Sequence, residues 1–202
     1  AADLALLGTG DHTLYVHGTN GVWGAFNFAA LHLDKDGPLT SAVTLAPNPS
    51  DGTQDVTVNA TGDDTATGNS DITAAEYFVD ATGADGTGTP MTVNVTAPVA
   101  SLSGTIDGTL YAEGAHTVSV HSMDSFGHWG AFNTATLAID KTGPTTSNVI
   151  ANPNPNNGST PYSPTVFAVR VDATLTDDPS GTPGVNSTIQ QAEGFISTVG
   201  AD

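Results

Sequence analysis

Apolar and polar residues alternate with a period of two along several stretches of the chain. The alternation is clearest over residues 55–60, 115–121, 134–139 and 168–173. It is typical of strands that bury one face, and the clusters of Gly, Pro, Asn and Asp between the runs favour turns. No segment has a convincing helical period. We therefore predict an all-β chain that folds as an antiparallel β-sandwich, with about seven strands in about 100 residues. The predicted strands lie near 41–46, 55–61, 74–80, 91–95, 98–103, 115–123 and 133–140.

The chain also repeats its own sequence. The offset is 104 residues from His12 to His116, and it is 106 residues from Trp23 to Trp129. A period near 100 residues has the size of a whole domain, so it predicts an array of globular modules in place of a solenoid. The matching segments are His12-Thr-Leu-Tyr-Val-His17 with His116-Thr-Val-Ser-Val-His121, Trp23-Gly-Ala-Phe-Asn27 with Trp129-Gly-Ala-Phe-Asn133, and Asp34-Lys-Asp-Gly-Pro38 with Asp140-Lys-Thr-Gly-Pro144.

The repeat divides the chain into three parts. Residues 38–143 form one complete module, residues 1–37 match only the C-terminal part of a module, and residues 144–202 match only the N-terminal part. A half sandwich cannot bury both faces of its sheets. We expect the chain to be an excerpt of a longer array; the alternative is that halves from neighbouring chains complete each other.

Composition narrows the classes of partner. The formal net charge is −18, from eighteen Asp and three Glu against three basic residues. Such a chain cannot neutralise phosphates, which excludes nucleic acid as a partner, and it disfavours docking on anionic lipid. No apolar run of about eighteen residues is present, so we expect no membrane insertion. There is no cysteine, so no disulfide joins the modules.

Several motifs resemble a known family. Gly114-Ala-His-Thr-Val-Ser-Val, Asp124, Gly127-His-Trp-Gly and Ile139-Asp-Lys-Thr-Gly-Pro144 occur in this order. The series resembles the tandem immunoglobulin-like repeats of very large bacterial surface proteins, and it recurs in both copies. The resemblance implies tandem immunoglobulin-like antiparallel β-sandwiches, with about seven strands per module, and an extracellular or cell-surface location. The family's usual loop Asn is His128 here.

The acidic residues are candidates for calcium sites at the module junctions. Asp caps turns through its own backbone, and it also supplies the oxygen ligands that calcium prefers. In an immunoglobulin-like topology the linker acids would lie near the loops after the second strand and before the last. A bound ion would stiffen the junction; the alternative is that these residues only cap solvated turns. The predicted ligands are Asp34, Asp36, Asp63, Asp64, Asp71 and Asp124 at one junction, and Asp140, Asp177 and Asp178 at the equivalent junction.

The histidines and glutamates have simpler interpretations. His116 and His121 fall on opposite faces of one predicted strand, so their imidazoles point apart and are poorly placed to bind one zinc ion. We expect His12 and His116 to be satisfied by backbone at the sandwich edge. We expect Glu76, like its equivalent Glu193, to act as a structural hydrogen-bond acceptor.

The repeated aromatic and lysine residues also have structural interpretations. An aromatic residue followed by Gly-Ala-Phe recurs at Trp23 and Trp129, and we expect these rings to plug the end of the core in place of stacking on a sugar. Lys35 and Lys141 each follow an Asp in the linker, which predicts a local ion pair.

No sequence pattern of an enzyme is present: the chain has no Gly-x-Ser-x-Gly elbow, no His-Glu-x-x-His and no phosphate loop. We therefore expect a non-enzymatic structural segment of an extracellular array, such as a stalk, surface layer or fibre shaft, whose partners are further copies of its own module. Two alternatives remain open. One is an adhesin that binds a surface glycan or a protein. The other is a filament subunit, in which residues 144–202 of one chain complete residues 1–37 of the next.

Overall fold

The chain folds into antiparallel β-structure with two short 3-10 turns. The computed structural model describes residues 3–159, 164, 169–177 and 185–196. The turns are Leu4–Leu6 and Gly108–Leu110. Among the described residues, no helix is long and apolar enough to cross a membrane. The strands are β1 Gly10–Val16, β2 Asn27–Leu33, β3 Leu39–Ala46, β4 Asp55–Asp63, β5 Ile72–Val79, β6 Thr89–Pro90, β7 Thr92–Val93, β8 Val99–Asp107, β9 Gly114–Asp124, β10 Asn133–Ile139, β11 Thr145–Asn152 and β12 Arg170–Thr176.

Strands β3 to β10 form a central unit of two four-stranded sheets. One sheet has the order β3-β4-β8-β7 and the other has the order β10-β9-β5-β6. The alternation in β4 buries Val56, Val58 and Ala60 while the residues between them stay exposed. These side chains meet Val118 and Val120 from the facing sheet in one apolar cluster. The period-two pattern therefore directs one face of each sheet into a shared core.

The prediction of an all-β chain is confirmed. All seven predicted strands of the central unit are present, with bounds that differ by a few residues. The sequence pattern does not predict β6, which pairs with β5 through Pro90 and Thr89 alone. A two-residue strand that contains proline carries no alternation, and proline is confined to sheet edges.

Two separate hairpins flank the central unit and repeat parts of it. In the N-terminal hairpin, β1–β2, Gly10 pairs with Leu33 and Val16 pairs with Asn27. At offsets of 104 and 106 residues the same register appears in β9–β10, where Gly114 pairs with Ile139 and Val120 pairs with Asn133. The repeated sequence therefore forms the same local structure twice.

The C-terminal hairpin, β11–β12, repeats β3–β4 in the same way. The register shifts between Ser41 and Thr44 in one hairpin and between Ser147 and Ile150 in the other. Each irregularity contains a residue in the left-handed region, Ala42 at φ 52° and Asn148 at φ 51°. The two bulges are equivalent at the offset of 106 residues, so the repeat extends to the backbone conformation.

Candidate functional site

The linker between β2 and β3 packs directly on the loop that follows β9. A Cβ atom added to Gly37 would lie 2.3 Å from the carbonyl carbon of Trp129, and one added to Gly130 would lie 1.7 Å from the carbonyl oxygen of Pro38. Only glycine allows two backbones to approach so closely. The two glycines therefore bring Asp34, the first residue of the linker, to the end of β9.

Asp124 ends β9 and organises the loop. Its Oδ1 accepts hydrogen bonds from the backbone N–H groups of Phe126 and His128, at 2.8 and 2.9 Å. Its Oδ2 lies 3.0 Å from Nδ1 of His128. The Asp124 side chain is 0% exposed. The Asp124-x-x-x-His128 spacing thus folds into a tight turn that holds the imidazole next to a buried carboxylate.

Asp34 is the second carboxylate of the site. Its side chain is 3% exposed, and both of its oxygens are buried without a hydrogen-bond partner. The carboxylate lies against Gly68 so closely that an added Cβ atom there would be 2.0 Å from Cγ of Asp34. Oδ1 of Asp34 is 3.7 Å from Nδ1 of His128. A buried charged group without hydrogen bonds is costly, so this carboxylate is a candidate to bind a counter-ion.

Asp34, Asp124 and His128 form one cluster. One ligand atom from each lies within 4.8 Å of the other two. A protonated His128 would neutralise one of the two buried carboxylates and would leave one negative charge. Three carboxylate oxygens, both from Asp34 and Oδ2 from Asp124, are free of backbone hydrogen bonds and can hold a cation.

The other predicted ligands at this junction are not brought into the cluster. Asp36 and Asp71 are exposed. Oδ1 of Asp63 accepts hydrogen bonds from the side chain and the backbone of Thr65, and these bonds lower the pKa of Asp63. Asp63 therefore caps its own turn, as the alternative interpretation of the acids expects.

Asp64 is fully buried, but its carboxylate is used within its own loop. Oδ1 accepts a hydrogen bond from Oγ1 of Thr67 at 2.6 Å. Oδ2 accepts from the backbone N–H and the hydroxyl of Ser70, at 2.6 and 2.9 Å. Asp64 therefore shapes the loop that places Gly68 against Asp34.

The equivalent junction brings together Asp140 and Asp177. Thr176 pairs with Thr145 as Asp63 pairs with Leu39, so Asp177 is the structural equivalent of Asp64. The backbone N–H of Ser187 donates to Oδ2 of Asp140 at 2.7 Å, and its hydroxyl donates to Oδ2 of Asp177 at 2.8 Å. Oδ1 of Asp177 is buried without a hydrogen-bond partner. Asp178, the third predicted ligand, lies outside the described residues.

His12 and His116 both contact backbone carbonyl oxygens, as predicted. Nε2 of His12 lies 2.8 Å from the carbonyl oxygen of Gly8, and Nε2 of His116 lies 3.0 Å from that of Ala112. His121 is on the other face of β9, where Nε2 lies 2.7 Å from Oε1 of Glu76. The two imidazoles therefore contact different carboxylates, His116 that of Asp80 and His121 that of Glu76.

Glu76 is a structural hydrogen-bond acceptor, which confirms the prediction for this residue. Its two oxygens accept the backbone N–H groups of Gly86 and Gly88, at 2.9 and 2.7 Å. Glu76 and His121 are cross-strand partners and are almost fully buried. The pair therefore holds the loop after β5 against the outer face of the sheet that contains β5 and β9.

Two predictions for repeated residues are wrong. Trp129 and Phe132 are not part of the core cluster; they lie over His121, with ring centroids at 4.4 and 3.9 Å. The lysines donate to carbonyl oxygens and form no ion pair within the described residues: Nζ of Lys35 lies 2.6 Å from the oxygen of Leu7, and Nζ of Lys141 lies 2.6 Å from that of Tyr111. A 3-10 turn next to each linker offers these carbonyl oxygens.

Comparisons with known proteins return no match. No protein-family model, curated protein or solved structure is similar to the chain. Functional inference therefore rests on the geometry of the site and on the repeat.

Proposed function

We propose that the chain is a non-enzymatic structural segment of an extracellular array of immunoglobulin-like modules. The orders β3-β4-β8-β7 and β10-β9-β5-β6 support this proposal, because they are the orders expected for the two sheets of an immunoglobulin sandwich with one extra edge strand. The repeated registers of the flanking hairpins support a tandem arrangement. An array of such modules gives reach, as in a stalk, a surface layer or a fibre shaft.

The buried pair of Glu76 and His121 favours a structural role over a catalytic one. Both oxygens of Glu76 are engaged by backbone N–H groups, and the rings of Trp129 and Phe132 lie over His121. A general acid or base needs reach to a substrate proton. A carboxylate and an imidazole held in this way serve the fold of the loop.

We further propose that calcium binds between Asp34 and Asp124 and ties the linker to the loop after β9. The observation that carries this proposal is the buried Asp34 carboxylate, whose two oxygens have no hydrogen-bond partner. Asp124 would supply a further oxygen, and the ion would neutralise charge that His128 alone cannot balance. Since Asp34 belongs to the linker and Asp124 to the central unit, the ion would restrict motion between successive modules.

Thermal unfolding in calcium and in excess chelator tests this proposal. A ligand present at 100 times its dissociation constant adds about 2.7 kcal/mol to the free energy of unfolding, so the melting temperature should rise by several degrees. Asp34→Asn should abolish the rise. In chelator the same variant should be at least as stable as the parent chain, because a buried unpaired charge has been removed.

Asp63→Asn is the matched control, since Asp63 lies on the neighbouring loop and caps its own turn. It should retain the full effect of calcium. A rise with zinc and none with calcium would assign the cluster to a cation that prefers imidazole, with His128 as a ligand, and would contradict the calcium proposal. No rise with either ion would contradict cation binding altogether.

A further inference from the structure

Four Asp–Gly pairs occur in the chain, and the structure holds them in different ways. The pairs begin at Asp36, Asp51, Asp85 and Asp107. Because glycine has no side chain, its backbone nitrogen can approach Cγ of the aspartate before it, which is the approach that closes a cyclic imide. A hydrogen bond on the aspartate carboxylate or on the glycine N–H group opposes this reaction, since the bond must break before the ring can close.

The carboxylates of Asp51 and Asp107 are each held within their own turn. Oδ1 of Asp51 accepts hydrogen bonds from the backbone N–H group and the hydroxyl of Thr53, at 2.9 and 2.8 Å. Oδ1 of Asp107 accepts from the same two groups of Thr109, at 3.0 and 2.6 Å. Both side chains are therefore turned toward the threonine that follows and away from the glycine nitrogen.

The pair at Asp85 is held through its glycine. The Asp85 side chain is exposed. The backbone N–H group of Gly86, however, donates to Oε1 of Glu76 at 2.9 Å. Because Glu76 is almost fully buried, water does not readily replace this bond, and the glycine nitrogen is kept from the aspartate.

The fourth pair, Asp36–Gly37, is held in neither way. Within the described part of the chain, no hydrogen bond reaches the carboxylate of Asp36 or the N–H group of Gly37. The pair lies in the linker between β2 and β3, outside the strand ladders. Asp36 is exposed and lines an open cavity of about 310 Å³, so its side chain has room to turn toward the glycine.

We propose that Asp36 is the site of a spontaneous covalent modification, its conversion to isoaspartate. The nitrogen of Gly37 attacks Cγ of Asp36, and a bond forms between them while the hydroxyl of the protonated carboxyl group and the amide proton leave as water. Water then adds to the imide at the main-chain carbonyl carbon, and the bond between this carbon and the nitrogen breaks. The main chain afterwards runs through Cγ, and the former carbonyl carbon belongs to a free carboxylate. One water is released and one is taken up, so the mass is unchanged and no further reactant is needed.

The modification loosens the contact between the linker and the loop after β9. It adds one carbon atom to the main chain just before Gly37, about 1.5 Å of extra length. Gly37 lies so close to the loop that an added Cβ atom would be 2.3 Å from the carbonyl carbon of Trp129. So close a contact cannot keep its place when the chain before it lengthens. Neither calcium nor an extracellular location enters this reaction, so the modification is separate from the proposed function.

Peptide mapping of the aged chain tests the proposal. The parent chain is incubated for weeks at neutral pH in excess chelator, so that no bound cation affects the result. Electron-transfer fragmentation then locates isoaspartate, because it distinguishes the two isomers of equal mass. We expect the isoaspartate fraction at position 36 to exceed that at each of positions 51, 85 and 107 several-fold. Equal fractions, or a larger fraction at another position, would overturn the proposal.

The same incubation in urea shows whether the structure or the local sequence selects the site. Unfolding releases the carboxylates of Asp51 and Asp107 and the N–H group of Gly86, so the four pairs should then react at similar rates. Proline follows Gly37, whereas threonine follows the glycine of each other pair. If position 36 had the same excess in urea, this difference in sequence would explain it and the proposal would be wrong.

Asp36→Glu tests the consequence for the junction. Glutamate keeps the charge, but it would have to close a larger ring, which forms far more slowly. After incubation in chelator we expect a lower melting temperature for the parent chain and an unchanged one for the variant. An equal fall in both would contradict the loosening. Since no cation is present in these measurements, their failure would leave the calcium proposal intact, and loss of the calcium effect would leave the peptide map unaffected.

Discussion

At the scale of single residues, the site depends on where hydrogen bonds are made and where they are lacking. Asp63, Asp64 and Asp124 all accept hydrogen bonds from nearby N–H or hydroxyl groups. Asp34 accepts none. Three of these four aspartates thus shape loops through their hydrogen bonds, and Asp34 is the one whose two oxygens are both left for the proposed cation.

The pair of His116 and Asp80 predicts a pH dependence of stability. Nδ1 of His116 lies 2.9 Å from Oδ2 of Asp80. Burial lowers the pKa of His116, but hydrogen bonds with Ala112 and Asp80 outweigh it and raise the pKa above its ordinary 6.5. The hydrogen bond with His116 also lowers the pKa of Asp80 below 3.8. The stabilisation from His116 is complete below pH 6.5 and is lost as pH rises through its raised pKa, and that from Asp80 is present above pH 3.8.

The two dependences together define the window in which the pair stabilises the fold. The difference in unfolding free energy between the parent chain and Asp80→Asn should be largest near about pH 5 and smaller near about pH 8.5, measured by urea denaturation. Asp51→Asn is the control, because hydrogen bonds from Thr53 lower the pKa of Asp51 and no histidine is involved. Its difference should be the same at both pH values. A constant difference for Asp80→Asn would contradict the assignment.

The buried pair of Glu76 and His121 predicts a large loss of stability on truncation. Glu76→Ala leaves the imidazole and the N–H groups of Gly86 and Gly88 without their acceptor. Breaking such a buried pair should lower the free energy of unfolding by about 3–5 kcal/mol. Urea denaturation of the variant and the parent chain measures this difference. Asp85→Ala in the same loop removes an exposed carboxylate and should change stability by less than about 0.5 kcal/mol. Similar losses for both variants would show that the loop, and not the pair, is responsible.

At the scale of elements, the contact between linker and loop requires glycine on both sides. Gly130→Ala would place Cβ 1.7 Å from the carbonyl oxygen of Pro38, so the linker or the loop must move, at a cost of about 1–3 kcal/mol. Gly24→Ala is the equivalent change in the N-terminal hairpin, where the nearest atom is 3.4 Å away. We expect a lower melting temperature for the first variant and almost none of this effect for the second.

Most elements could be predicted from the sequence because alternation and turn residues are local signals. The position of β4 follows from the spacing of Val56 and Val58, whereas the spacing around Pro90 shows no strand. The site was predicted only in part. Linker and loop acids were expected together, which identified Asp34 and Asp124. His128 is not among the predicted ligands, although its spacing of four residues from Asp124 is a usable signal.

The remaining misassignments have one physical cause. Thr67 and Ser70 engage the Asp64 carboxylate because the loop folds back on it, and no spacing in the sequence shows that fold. The lysines likewise turn away from the linker acids because each 3-10 turn presents carbonyl oxygens. Hydrogen bonds within irregular segments depend on conformation, which period and composition do not report.

At the scale of the whole molecule, we propose a chain whose repeated parts are joined through short linkers. A net charge of −18 spreads along the array and keeps separate copies apart. Cations bound at the junctions would neutralise the buried part of this charge and fix successive modules in line.

The most direct test is the rate at which a lysine-specific protease cleaves after Lys35, within the linker between Asp34 and Pro38. We predict slow cleavage in calcium and faster cleavage in chelator. The bound ion holds the linker on the loop, so that the linker opens only rarely to the protease. Asp34→Asn should be cleaved at the faster rate in both conditions. Equal rates for the parent chain with and without calcium would contradict the claim that a cation fixes this junction.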